Sequence, residues 1–113
     1  MSIAGIDIVL HPPARLQIAA LLAKVSDAEF AKLREVTGVS DSVMSKHLSA
    51  LAEAGYVALR KDTRDGRQRT WASLTRSGRA AFSAHVRALQ AIVAAEPEID
   101  MQSDLSGAAA SAE

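Results

Sequence analysis

The chain has 113 residues, no cysteine and a formal net charge of zero. That length suits one domain with a modest core, and the lack of cysteine excludes disulfides, thiolate metal sites and a cysteine nucleophile. Hydrophobic residues make up 49% and aromatics only 4%, so the expected core is aliphatic rather than aromatic and the bulk of the chain is not disordered. No apolar run reaches the ~18 residues of a membrane span, and no basic stretch followed by a long apolar one marks a secretion signal. The expectation is a cytoplasmic protein without membrane contact.

Ile3, Ile6 and Leu10 recur at helical spacing before Pro12 and Pro13. So short an apolar segment has to pack on its own domain or on a second subunit. The two prolines then suit the first turn of a helix, whose stripe is Ile18, Leu21, Leu22 and Val25. Ser26 and Glu29 have the spacing of a capping box, which predicts a second helix with Phe30 and Leu33 inward and Gly38 as its stop. Ser40 caps a third helix with Met44, Leu48 and Leu51 on one face and Gly55 at its end. Two short helices joined by a tight glycine turn make a helix-turn-helix pattern.

The opposite face of the third helix carries Asp41, Ser42, Ser45, Lys46 and Ser49, all short or hydrogen-bonding. A strand follows from Tyr56 into Arg60-Lys61. Asp65-Gly66 is a hairpin turn dipeptide, and Arg69–Leu74 reads as the returning strand. Thr75 caps a last helix with Phe82, Val86, Leu89 and Val93 on its stripe, ended by Pro97. From Glu98 the chain is acidic, rich in serine and alanine, and aperiodic. The domain is therefore placed at residues 1–97 and a disordered tail at 98–113.

The zero net charge hides a partition. Between residues 56 and 87 stand Arg60, Lys61, Arg64, Arg67, Arg69, Arg76, Arg79 and Arg87, against Asp62 and Asp65 only. Residues 88–113 hold no basic group and five acidic ones. A basic stripe in a neutral protein suits a polyanion, though it equally suits a solvated surface. The acidic tail is a possible competitor for that stripe.

The order of elements, α-α-α-β-β-α, is mainly helical with a small hairpin: a winged helix-turn-helix. The stretches HPPARLQIAALL, VSDSVMSKHLSALAEAGYV and RDGRQRTWASLTRSGRAAF resemble small winged-helix transcriptional regulators of the MarR/ArsR type. The resemblance covers roughly residues 6–95 and is most specific in S-K-H-L-x-x-L-x-x-x-G-Y-V. It implies a sequence-specific regulator that binds double-stranded DNA as a homodimer, most often as a repressor.

By the same resemblance the helix at 40–54 enters the major groove, with Ser42, Ser45, Lys46 and Ser49 toward DNA. The wing at 60–69 lies on the minor groove or backbone, with Arg64, Arg67 and Arg69 at or near its tip. Lysine can donate to guanine and serine to bases or phosphates. Asp41 either accepts from a cytosine or complements the positive end of its helix; the second role is favoured. The resembling families dimerise through the N-terminal segment and the last helix, here Ile3, Ile6 and Leu10 with Phe82, Val86, Leu89 and Val93. A small-molecule effector is possible but not evident.

Other residues read more quietly. Trp71 is expected to pack the sheet on the helices, and His47 to pack or to touch phosphate. His85 sits on the last helix, where sensors of the ArsR type can carry a metal pattern D-x-H-x10-H-x-x-E. Here that register gives Ser83, His85, Glu96 and Ile99, so no metal site and no cofactor are expected, and His85 reads as a core or interface residue. No phosphate loop, zinc-protease helix or nucleophile elbow is present, so the chain is not expected to be an enzyme. The competing reading is a winged-helix protein-interaction module without sequence-specific DNA binding.

Overall fold

The computed structural model describes residues 5–95. Ile3, Pro97 and the tail at 98–113 lie outside the described residues. The elements are α1 (Pro13–Leu22), β1 (Ala28–Glu29), α2 (Phe30–Thr37), α3 (Asp41–Glu53), β2 (Val57–Arg64), β3 (Arg67–Leu74) and α4 (Arg76–Ala94). The three strands form one antiparallel sheet in the order β1-β3-β2. The expected winged helix-turn-helix is the fold found.

Local chemistry explains most boundaries. Pro13 starts α1, where the missing N–H costs nothing. Gly38 ends α2 in the left-handed region at φ 75°. Ser40 accepts the Val43 N–H at 3.2 Å and so caps α3. The hairpin turns on Asp65 and Gly66, with φ 52° and 75°, the two-residue turn whose twist matches the strands. Because that loop is so short, β3 begins at Arg67 and not at Arg69.

The core is aliphatic. Ile18, Ala19 and Leu22 of α1 meet Leu33 of α2, and Met44, Leu48 and Leu51 of α3, over Val57, Ala72 and Leu74 of the sheet. Tyr56, Phe30 and Phe82 pack at its edge.

Three local expectations are corrected. Residues 5–12 contain turns and no helix, and Leu10 is fully buried in the protomer's own core. It is therefore removed from the subunit contact. Secondly, α1 stops at Leu22, and Val25 is exposed. Thirdly, no capping box forms at Ser26 and Glu29: Glu29 is extended and gives α2 no side-chain cap. The reason is tertiary. Ala28 and Glu29 pair with Ala72 and Trp71 as a third strand, which needs extended backbone where the capping box needs a helix start. The strand also buries Ala28 and covers the free edge of β3.

Candidate nucleic-acid interface

One face of α3 is locked in the core by Met44, Leu48 and Leu51. The opposite face leaves Asp41, Ser42, Ser45, Lys46 and Ser49 exposed. A rigid helix thus holds one cation among hydroxyls, with Val43, 40% exposed, on the flank of that face. Ser42 Oγ lies 3.4 Å from the Ser40 hydroxyl at the cap. Asp41 sits in the first turn and accepts from Arg34 of α2 at 2.6 Å. Its charge is balanced by that arginine as well as by the helix end.

The wing is β2, the Asp65-Gly66 turn and β3. Arg64 and Arg67 are register partners across the turn, and Arg67 is exposed. Arg69 departs from the expectation of a free cation at the tip. It is half-buried, and its Nη1 reaches both carboxylate oxygens of Glu29 at 3.3 Å. The partner comes from the short strand that the sequence did not reveal.

Other cations of the basic stripe are also engaged. Arg60 meets Asp27 at 2.9 Å and Asp62 at 3.4 Å, and its guanidinium carbon lies 5.6 Å from the Trp71 ring centre. That contact is a cation–π arrangement, so Trp71 holds an arginine as well as filling the sheet. Arg79 donates to the carbonyls of Ala23 and Val25, just past α1, where free acceptors favour a cation. Asp27 and Glu29, two residues apart, have the period of a strand face; that spacing was the one available signal for β1. Between the start of α2 and the first half of β3 lies a cleft of about 530 Å³, lined by Glu29, Phe30, Arg67, Arg69 and Thr70 among others.

His47 and His85 are both engaged within the protomer. His47 Nδ1 accepts the Arg15 Nε–H at 3.1 Å, which ties α3 to α1. Burial, then the Arg15 charge, pushes the imidazole below its usual value. His85 is fully buried on α4, its Nδ1 accepting the Asp7 N–H at 3.0 Å. Among the described residues no group of three or more His, Asp or Glu side chains could hold a metal ion.

The family model described as the winged helix DNA-binding domain matches residues 14–93. The chain belongs to the winged helix DNA-binding domain family. As a winged helix DNA-binding domain, it uses α2 and α3 as the helix-turn-helix and β2-β3 as the wing. It is similar to an uncharacterized protein of Methanocaldococcus jannaschii, 32% identical over 78 residues, 69% of this chain and 85% of that one. It also resembles the structure of a transcriptional regulator homologue from Pyrococcus horikoshii, with TM-score 0.72 and 25% identity, covering 77% of this chain and 86% of that one. YusO of Bacillus subtilis shares the fold, with TM-score 0.71 and 23% identity over 95% of this chain and 82% of that one. Among the described residues no helix is long and apolar enough to cross a membrane.

Proposed function

We propose that the protein regulates transcription by binding double-stranded DNA sequence-specifically as a homodimer, most simply as a repressor. The observation that carries this reading is the free polar face of α3, with Ser42, Ser45, Lys46 and Ser49 exposed while its other face is locked in the core. A helix so held projects base-reading groups without needing to reorder. The transcriptional regulator homologue of Pyrococcus horikoshii, similar along most of both chains, supports a regulatory role. In this reading α3 enters the major groove, and Arg64 and Arg67 at the wing tip neutralise phosphate or line the minor groove. Arg69 is a reserve cation, held by Glu29. The subunit contact uses Ile6, Phe82, Val86, Leu89 and Val93, joined by Ile8, which the sequence did not single out and which is 81% exposed.

The test separates the two DNA-facing parts. A duplex selected by the protein from a random library is compared with a scrambled duplex across a salt series. Lys46→Ala should cost roughly 1–3 kcal/mol at one base position and relax specificity there. Replacing Arg64 and Arg67 with alanine should weaken both duplexes alike and flatten the salt slope by about 0.9 for each phosphate no longer neutralised. The opposite pattern reverses the two roles. No effect of either variant replaces DNA binding with the protein-interaction module.

A further inference from the structure

We propose that Glu29 sets the DNA affinity of the wing by competing with backbone phosphate for Arg69. The inference rests on the DNA-binding reading above and adds to it a residue outside both the recognition helix and the wing. Glu29 reaches Arg69 from β1, forty positions earlier in the chain, and both of its oxygens lie on one terminal nitrogen, Nη1. Among the described residues Arg69 has no other hydrogen-bond partner. Its Nη2 and Nε are thus available to a second acceptor.

The pair lies at the open cleft between α2 and β3, whose other cation is the exposed Arg67. Arg69 stands two residues from Arg67 on the same strand, so both side chains leave the same face of the sheet. A phosphate drawn to Arg67 therefore comes within reach of Arg69. Among the described residues Glu29 is the one acid lining that cleft. Its part is to hold the arginine that would otherwise bind an incoming phosphate.

The pair is open enough to exchange. The Arg69 and Glu29 side chains are 34% and 25% exposed, and ion pairs that water reaches are weakly held. Arg60 is the contrasting case. It is held by two carboxylates and the Trp71 ring, so it has more to lose on turning outward.

Glu29→Gln is the test. It removes the charge and keeps an acceptor of the same shape. The strand pairing of residue 29 with Trp71 is a backbone contact, so the fold should survive; a thermal melt of each variant checks this. Binding to the selected duplex and to its scrambled control is measured across a salt series. Each further phosphate that the wing neutralises steepens the slope of log affinity against log salt by about 0.9, which amounts to about eight-fold between 1 M and 0.1 M salt. Glu29→Gln should therefore tighten binding to both duplexes by about that factor at 0.1 M salt. Arg69→Ala alone should change the wild-type affinity by less than about two-fold, and it should abolish the tightening when combined with Glu29→Gln.

Unchanged or weaker binding by Glu29→Gln overturns the proposal; weaker binding would make Glu29 a prop for the wing. Tightening that survives in the double variant also overturns it, because the effect would then be one of net charge and not of Arg69. If the wild-type protein binds neither duplex, the DNA-binding reading itself fails, and that outcome is distinct from the others.

Discussion

Besides accepting the Arg79 N–H at its carbonyl, Thr75 ties one corner of the molecule together. Its N–H donates to the Tyr56 carbonyl at 2.9 Å, its hydroxyl donates to the Gly55 carbonyl at 2.6 Å, and the same hydroxyl accepts the Gly78 N–H at 2.9 Å. The Leu-Thr-x-x-Gly run at the start of α4 is thus a clamp on the chain leaving α3. Gly78 completes it: a Cβ there would overlap the Tyr56 carbonyl oxygen and come within 3.0 Å of a Leu74 methyl. Helix propensity alone makes Gly→Ala favourable by about 1 kcal/mol. We expect the clash to win, so Gly78→Ala should destabilise by roughly 1–3 kcal/mol in urea denaturation, and stabilisation would refute the clamp. Thr75→Val, which loses cap and bridge together, should cost about 1–3 kcal/mol. The cap was legible in the sequence, since threonine before a helical stripe is a local signal. The glycine's role was not, because its reason is a carbonyl on another element. The pairing of Arg69 was hidden for the same reason: its sequence neighbours make it a wing cation, and Glu29, far away in the chain, gives it a partner.

At the level of elements, the four helices could be read from their own stripes, with the cap of α2 misplaced, and β1 could not. Beyond the Asp27 and Glu29 spacing, a two-residue strand has no pattern of its own, and its extended form depends on β3. The segment before α1 is likewise held by distant groups. The Asp7 carboxylate accepts from the N–H groups of Val9 and Leu10 at 2.8 and 3.3 Å and from the Tyr56 hydroxyl at 2.6 Å. The bond to Asp7 comes first, ahead of burial and the Asp7 charge, in pushing the Tyr56 phenol upward. The Asp7 N–H points at Nδ1 of His85, so that nitrogen must be unprotonated and the proton sits on Nε2. The His11 ring stands edge-on at 5.6 Å.

Protonating His85 would set a donor against a donor and a charge in the core. Burial first, then the His11 charge, lowers its pKa, and Asp7 only partly opposes them. The sign follows directly. An imidazole whose folded value lies below its ordinary value stabilises the fold at pH above that ordinary value, about 6.5. This contribution is lost as pH falls through the lower, folded value. His47 shifts the same way. Urea midpoints should therefore be flat above about pH 7 and fall steadily below about pH 6. Amide protection at Val9 and Leu10, taken relative to the intrinsic exchange rate at each pH, should fall over the same range. In His85→Leu the acid fall should be shallower than in the wild type, and an equal fall would rule out this histidine as its source.

For the whole molecule, the charge partition seen in the sequence is real in composition but overstated as a surface. Asp27, Glu29 and Asp62 hold Arg60 and Arg69, while Arg79 is held by carbonyls. Counting residues along a chain cannot show which cations are matched from elsewhere in the fold. The apolar face can be placed more directly. The 19-residue α4 is about 28 Å long at 1.5 Å per residue, and its first half packs on the core through Gly78, Ala81, Phe82 and His85.

Beyond that point Ile92 is 45% exposed and Val93 85%. The N-terminal segment lies along the same helix, with Gly5 so close to Ala88 that a Cβ would come within 2.9 Å of it. It presents Ile8 at 81% exposure. Two exposed aliphatic stretches on adjoining segments suit a subunit contact. Leu89 is a poor place to test this, because it is half-buried within its own protomer, and a charge there could unfold the chain as readily as dissociate it. Val93→Glu and Ile8→Glu change side chains that contribute little to the protomer's own core. Each should leave the circular dichroism of the folded protomer nearly unchanged. In the dimer each would bury an unpaired carboxylate, which costs several kcal/mol by the known range of about 3–5. Sedimentation equilibrium at micromolar concentration should therefore find a dimer for the wild type and a monomer for both variants. A monomeric wild type, or variants that stay dimeric, would mean that the end of α4 and the N-terminal segment do not form the subunit contact.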